Sequence, residues 1–187
     1  MKTLRVVTMA AVVGACAWAG EGARAAEART VVVCAAMGYD FTVQRAESIA
    51  SGMFLQADVK IEWHRDSDCP ADAIRISFSD GTYRSFRPEA LAYALPYEKT
   101  HIVVFYDRLR QHGSARLPVV LAHVLVHEIT HILQGVSRHS ESGIMMAHWG
   151  TNEYNEMAFK PLPFPPADVE MIRIGLDARE TRLIAAK

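Results

Sequence analysis

Two histidines and a glutamate are the residues of this sequence whose types and spacing could do chemistry: His127, Glu128 and His131 in the run HEITH. Side chains four residues apart on an α-helix lie one turn above each other on the same face, so both imidazoles can reach one ion. Zinc suits imidazole ligands and lowers the pKa of bound water to about 7. Glu128 projects beside the pair, where its carboxylate can take a proton from that water. The run therefore predicts a hydrolytic zinc site.

A catalytic zinc site has three protein ligands and one open position, and His139 can supply the third ligand. It follows Gly135, which would end the helix and let the chain turn back under the site. His123 also precedes His127 by four residues, but at 1.5 Å per residue it lies about 12 Å from His131 along the axis. We therefore expect His123 to be a hydrogen-bonded histidine of the core or the cleft wall.

The run HEITHILQGVSRHSESGIMMAHW resembles the metzincin zinc peptidases, whose signature is H-E-x-x-H-x-x-G-x-x-H followed by a methionine-containing turn. The resemblance implies a peptidase acting on peptides or proteins, with zinc as its metal. By position it assigns His127, His131 and His139 as ligands, Glu128 as general base and Met145 as the turn methionine.

The spacing departs from that signature. Three residues rather than two separate His131 from Gly135, and again Gly135 from His139, so the third histidine comes two residues later. Ala147 stands where the family has a tyrosine after the turn methionine. The altered spacing leaves open whether His139 reaches the metal.

Several alternatives stay open around the motif. In gluzincins the third ligand is a glutamate from a later helix, a role for which Glu153 or Glu156 is available. Met145 and its neighbour are alternatively plain core residues, because methionine fills irregular gaps well. The candidates for stabilising a tetrahedral oxyanion are His148, Tyr106 and Tyr154.

The first 25 residues have the parts of a secretory signal peptide. Lys2 and Arg5 precede an apolar run over 6–19, and an A-x-A cleavage site follows at 23–25. The run is too short for a stable bilayer-spanning helix, so no transmembrane span is expected. The alternative is a lipobox-like sequence at 13–16, which would place a lipid anchor on Cys16. We expect a secreted or periplasmic protein, with the lipid-anchored form as the alternative.

Removal of this leader leaves two of the three cysteines, Cys34 and Cys69. Exported proteins meet an oxidising environment, which favours one disulfide between them, with two unpaired core thiols as the alternative. Neither cysteine belongs to a C-x-x-C pair, so a cysteine zinc site is not indicated.

The elements that must position the histidines follow from hydrophobic periodicity. Strands are predicted over 30–36, 59–65, 73–79, 82–86 and 101–106, with a hairpin turn at 80–81, and helices over 41–57 after the cap Asp40, 88–95, 118–134 and 167–183, the last capped by Asp168 or a neighbour. Most strands precede the histidine helix. This order indicates one α+β domain over 26–187, with a mixed twisted sheet, the active-site helix packed across it and a C-terminal helix.

Composition bounds the function. The 187 residues are 50% hydrophobic and 22% charged, which excludes wholesale disorder. Twenty basic against twenty-one acidic residues leave no excess to neutralise phosphates, so no nucleic-acid partner is expected. We expect a zinc metalloendopeptidase that aligns extended peptides on the edge strand 82–86. The alternatives are a non-catalytic zinc-binding protein on the same fold and a metal-free structural domain.

Overall fold

The computed structural model describes residues 28–36, 40–80, 90–95 and 100–185. The leader, Gly81 of the expected hairpin turn, the expected strand 82–86 and the first residues of the expected helix 88–95 lie outside these ranges.

A five-stranded mixed sheet forms the base of the described fold. Its strands are β1 (Arg29–Ala35), β2 (Val59–Arg65), β3 (Ile74–Ser79), β4 (Ala92–Ala94) and β5 (His101–Phe105), in the spatial order β2-β1-β3-β5-β4. β1 is parallel to both β2 and β3, and β3 is parallel to β5. Only β4 pairs antiparallel, with β5, among the described strands. This arrangement confirms the expected mixed sheet.

The strand sequences reflect their places in the sheet. β1 is an inner strand rich in valine, with Val31 and Val33 buried, as parallel strands covered on both faces usually are. β2 lies at an edge and alternates, with Val59 and Ile61 buried and Lys60 exposed between them. The observed β2 has the bounds that its alternation predicted.

The predicted helix over 88–95 is wrong in its described part. Ala92–Ala94 is instead a strand at the edge of the sheet, in register with 102–104 of β5. Hydrogen bonds from Leu95 N to His101 O and from Phe105 N to Leu91 O close its two ends. A strand of three residues is too short to show a hydrophobic period from which it could be predicted. Its conformation is determined by pairing with β5.

Five α-helices accompany the sheet in the described ranges: α1 (Phe41–Leu55), α2 (Tyr106–Leu109), α3 (Leu117–Gln134), α4 (Thr151–Met157) and α5 (Pro166–Ala185). Asp40 caps α1 by accepting a hydrogen bond from Thr42 N at 2.8 Å, as its sequence position predicted. α1 ends two residues earlier than expected because 56–58 form a turn in which Asp58 has a φ of 56°. The short helices α2 and α4 were not predicted.

Helix α3 lies at the centre of the core. It packs against α1, α5 and strand β4, and nearly all of its residues are buried. By length and composition it could cross a membrane, but 89% of it is buried inside the fold, which is typical of a core helix. It ends at Gln134, and Gly135 takes the left-handed conformation with a φ of 70°. The predicted end of the helix is therefore confirmed.

A disulfide joins Cys34 to Cys69, which confirms the pairing expected from the cysteine count. It connects the end of β1 to the turn that precedes β3 and closes a separation of 35 residues. The loop that leads into β3 is thereby fixed to the inner strand of the sheet.

Candidate metal site

Three histidines converge at one end of helix α3. A ring nitrogen from each of His127, His131 and His139 lies within 4.8 Å of the others. The ring centroids of His127 and His131 are 4.7 Å apart, and that of His139 is 5.3 Å and 5.0 Å from them. The chain therefore brings the third histidine to the helical pair despite its longer spacing, forming a cluster that could bind a metal.

Backbone carbonyls set the tautomers of the helical pair. His127 Nδ1 donates to Ile144 O at 2.9 Å, and His131 Nδ1 donates to Val136 O at 3.1 Å. A carbonyl only accepts, so each Nδ1 carries the ring proton of the neutral imidazole and each Nε2 presents a lone pair. The two Nε2 atoms face each other at 3.1 Å. Two facing lone pairs are satisfied by a cation between them.

Burial keeps both rings neutral. Loss of solvation, together with the neighbouring His131, lowers the pKa of His127 to about 3. Burial lowers the pKa of His131 to about 4, assisted by His139. Metal binding requires neutral imidazole, so this environment prepares both nitrogens as ligands at neutral pH.

The segment 135–146, which follows α3, folds back in a tight turn beneath the histidines. Ser140 N donates to Met145 O at 2.8 Å, and a β-bridge pairs Ser140 with Met146. Gly143 turns this segment with a φ of 74°, in the left-handed region that favours glycine. A Cβ there would collide with Pro163 O and lie 3.0 Å from Pro165 Cδ. The proline-rich segment 160–165, which precedes α5, thus packs against this turn.

Met145 lies in this turn and is completely buried, whereas Met146 lines the cleft. Ile144, which directly precedes Met145, supplies the backbone carbonyl that orients the His127 ring. Met145, the residue expected as the turn methionine, is a member of the hydrophobic core. Its role in a methionine turn stays a prediction.

Glu128 lines the same pocket as His127 and is 8% exposed. Burial raises the pKa of its carboxyl to about 8, while a hydrogen bond from the Ala94 backbone N–H acts in the opposite direction. That N–H belongs to the edge strand β4, so the sheet edge and the carboxylate meet in one place. The remaining lining combines aliphatic and aromatic side chains with one further histidine: Leu91, Ala92, Val124, Met146, Ala147, His148, Trp149 and Tyr154.

The alternative ligands lie outside the histidine cluster. Glu153 accepts a hydrogen bond from Gly150 N at 2.7 Å at the start of α4. Glu156 pairs with Lys160 at 3.1 Å. Each carboxylate therefore has a local structural partner, and neither belongs to the group of residues that could hold one ion.

His123 is buried and hydrogen-bonded, as expected. Its Nδ1 donates to Val119 O at 2.7 Å, and its Nε2 accepts from Leu162 N at 3.1 Å. It ties α3 to the proline-rich segment.

Two of the three candidate oxyanion stabilisers, His148 and Tyr154, line the pocket. The third, Tyr106, instead donates its hydroxyl to Asp40 at 3.0 Å, away from the described pocket lining. The structure therefore narrows this group to the two residues at the cleft.

Sequence reasoning missed two residues near the site. Trp149 places its indole edge-on to His127, with ring centroids 5.5 Å apart, and its Nε1 is buried without a hydrogen-bond partner in the described part of the chain. Asp168 was predicted only as a cap of the last helix, but its carboxylate accepts hydrogen bonds from Arg138 and Ser140. Nothing in the local sequence around 168 signals a contact with residues about thirty positions earlier.

No protein-family model matches the chain, and no curated protein matches it significantly in sequence. Solved structures do resemble it. The archaemetzincin of Methanopyrus kandleri has a TM-score of 0.57 at 11% identity, covering 83% of this chain and 99% of that one. The archaemetzincin of Archaeoglobus fulgidus, in complex with malonate, has a TM-score of 0.51 at 13% identity, covering 76% and 99%. The chain therefore has a fold similar to that of the two archaemetzincins, in agreement with the expected α+β architecture.

Proposed function

We propose that this chain is a zinc-dependent metalloendopeptidase in which His127, His131 and His139 hold the metal. The observation that carries the proposal is the convergence of their ring nitrogens at the edge of a cleft that His127 and Glu128 line. The donor set fits zinc, because two buried neutral imidazoles present unprotonated Nε2 atoms to one point. With Zn–N distances of about 2.0–2.1 Å, two ligands of a tetrahedral zinc lie about 3.3 Å apart. The Nε2 atoms of the helical pair lie 3.1 Å apart.

In this proposal, Glu128 and the backbone groups around the histidines have separate roles. Bound zinc polarises a carbonyl oxygen and brings the pKa of water close to neutral. A cation bound beside Glu128 would favour its ionised form, and the carboxylate would then remove a proton from the attacking water and deliver it to the leaving amine. The Ala94 N–H holds the Glu128 carboxylate at the wall of the cleft. The carbonyls of Ile144 and Val136 keep the two helical imidazoles in the ligating tautomer.

The edge strand β4 is suited to align a peptide. Its terminal hydrogen bonds involve Leu91 and Leu95, so by the alternation of an antiparallel ladder the N–H and C=O groups of Ala92 and Ala94 point away from β5. Ala92 lines the cleft, and Ala94 donates to Glu128. An extended substrate can add to this edge by β-augmentation through the N–H and C=O of Ala92 and the C=O of Ala94, because the Ala94 N–H is engaged by Glu128. In this proposal β4 takes the place of the strand expected at 82–86.

The experiment that tests the function compares zinc content and peptide hydrolysis in three proteins. Wild type should contain one zinc and cleave a fluorogenic peptide library. Glu128→Gln should keep the zinc and lose about 10²–10⁴-fold in rate, the usual contribution of a general acid–base group. Glu62→Gln is the matched control, because Glu62 lies on the opposite edge strand and pairs with Lys60.

The other outcomes are equally informative. Zinc retained without hydrolysis, or with equal rates for wild type and Glu128→Gln, would establish a non-catalytic zinc-binding protein. Absence of stoichiometric zinc after purification without chelators would establish a metal-free domain and overturn the proposal.

We further propose that the protein is exported and loses residues 1–25. The Cys34–Cys69 disulfide supports this, because such bonds form and persist in oxidising compartments. Intact-mass measurement of the protein from its native host should give a chain that begins at Ala26. A mass for a chain that begins with an acylated Cys16 would instead establish the lipid-anchored form.

A further inference from the structure

A buried carboxylate outside the histidine cluster holds the chain on both sides of the third histidine. Asp168, in the first turn of α5, is 0% exposed. Its Oδ1 accepts from Arg138 Nη1 at 2.9 Å, and its Oδ2 accepts from Ser140 Oγ at 2.7 Å. Both oxygens of one side chain are thus engaged by the residues directly before and after His139.

Asp168 also reaches the other end of the same loop. Gln134 Nε2, on the last residue of α3, donates to the Asp168 backbone O at 3.3 Å. The segment 134–140, which carries His139, is therefore held against one residue of α5 at both of its ends. The Arg138 contact joins a guanidinium to a carboxylate, and hydrogen bonds that involve charged groups are stronger than those between neutral groups.

The third histidine needs such an attachment more than the first two. His127 and His131 are buried on a rigid helix, and backbone carbonyls orient their rings. His139 is exposed and lies in an irregular segment. An unanchored loop would lose conformational entropy each time it brought that ring to a metal. Anchoring the loop in the folded protein removes much of that cost from the binding step.

We propose that Asp168 is a positioning residue that holds His139 at the metal site through Arg138 and Ser140. This inference rests on the proposed function. It also accounts for the spacing, because a segment two residues longer than the metzincin signature still delivers its histidine when the residues on either side of that histidine are fixed to α5.

A purely structural role for Asp168 makes a different prediction. Helix α5 has its own contacts with the core, since Ile172 and Leu176 are buried there. If Asp168 only stabilised the fold, its replacement would weaken metal binding equally whether or not His139 is present. If it acts through His139, its effect on the metal should vanish once His139 is removed.

The test is a double-mutant cycle on the full-length protein with zinc itself as the probe. Zinc affinity is measured by competition with a chromophoric chelator for wild type, Asp168→Asn, His139→Ala and the double variant. Asp168→Asn should weaken zinc binding about 10–100-fold, as replacements of groups that orient metal ligands do. It should cause no further loss in the His139→Ala background. Glu170→Gln, on the exposed face of the same helix, is the matched control and should bind like wild type.

Cobalt absorption gives a second readout that fold stability does not move. Asp168→Asn should shift the visible Co²⁺ spectrum toward that of His139→Ala. Arg138→Gln covers the case in which Asp168→Asn does not fold, because the Arg138 side chain is 43% exposed. It should weaken zinc binding several-fold in the wild-type background and not in His139→Ala.

Three results would overturn the inference. Unchanged zinc affinity in Asp168→Asn is the first, or in Arg138→Gln if Asp168→Asn does not fold. An equal fold-loss in both backgrounds is the second. The third is a failure of both the wild-type and the Glu170→Gln proteins to bind zinc. Of the three results, only this one would also overturn the proposed function.

Discussion

The contact between α3 and α5 predicts that one substitution has opposite effects at two glycines. Gly175 lies where α5 crosses α3, and a Cβ there would overlap Leu133 O and lie 2.9 Å from Leu133 C and 3.1 Å from Gln134 Cα. These are backbone atoms, which have no rotamer by which to retreat. The two helices would have to separate by about 1.5 Å to restore ordinary van der Waals contact.

The magnitude follows from two opposing terms. Gly→Ala inside a helix stabilises by about 0.8–1.0 kcal/mol through backbone entropy. Overpacking costs about 1–3 kcal/mol, and a clash between two backbones belongs at the upper end. Gly175→Ala should therefore lower the free energy of unfolding by about 2 kcal/mol, or about 4–8 °C in Tm for a chain of this size.

Gly52 is the matched control because it lies inside α1, where an added Cβ would meet nothing within 4 Å. Gly52→Ala should raise the free energy of unfolding by up to about 1 kcal/mol. Urea unfolding followed by circular dichroism, in chelator so that metal binding does not contribute, measures both changes. A Gly175→Ala protein as stable as wild type would show that close packing of the two helix backbones does not control this contact. A destabilised Gly52→Ala protein would contradict the gain expected from backbone entropy at an open helical glycine.

Three further predictions concern stability. Replacing Cys34 and Cys69 by serine should cost about 4 kcal/mol in the chain-entropy model for a 35-residue separation, measured by urea unfolding under non-reducing conditions; reductant should lower wild-type stability by a similar amount and leave the variant unchanged. Asp40→Ala removes the cap of α1 and should cost about 1 kcal/mol by the same assay, a loss that Asp40→Asn largely avoids. Burial lowers the pKa of His123, so its contribution to stability is complete above the unfolded-state pKa of about 6.5 and is lost as the pH falls. In unfolding titrations between pH 7.5 and 5, wild type should therefore lose stability relative to His123→Gln. Parallel stability curves for the two proteins would contradict this prediction.

Long elements with a regular pattern could be predicted from the sequence because their own residues determine them. Strand β2 alternates strictly, and α3 has Pro118 in its first turn and Gly135 after its last residue. Strand β4 and helix α4 could not be predicted in this way. β4 exists through its pairing with β5. Helix α4 has only seven residues, and its N-cap is Gly150, whose N–H donates to the side chain of Glu153.

The candidate site also contains some features that could be predicted from the sequence and others that could not. His127 and His131 could be paired from the helical repeat alone, since residues four apart share a face. The arrival of His139 could not be derived from its spacing, because the loop path depends on Asp168, a residue about thirty positions away on another helix. The carbonyls that fix the two helical imidazoles are equally invisible to sequence, because every residue carries one.

Zinc binding by three histidines of this chain is the proposal on which the catalytic role of the cleft depends. It can be tested with a crystal of the protein purified without chelators, by recording diffraction on both sides of the zinc absorption edge. We expect one anomalous peak about 2.0–2.1 Å from His127 Nε2, His131 Nε2 and a ring nitrogen of His139. A peak held by the helical pair and a glutamate such as Glu153, or no peak in this cleft, would contradict the proposal.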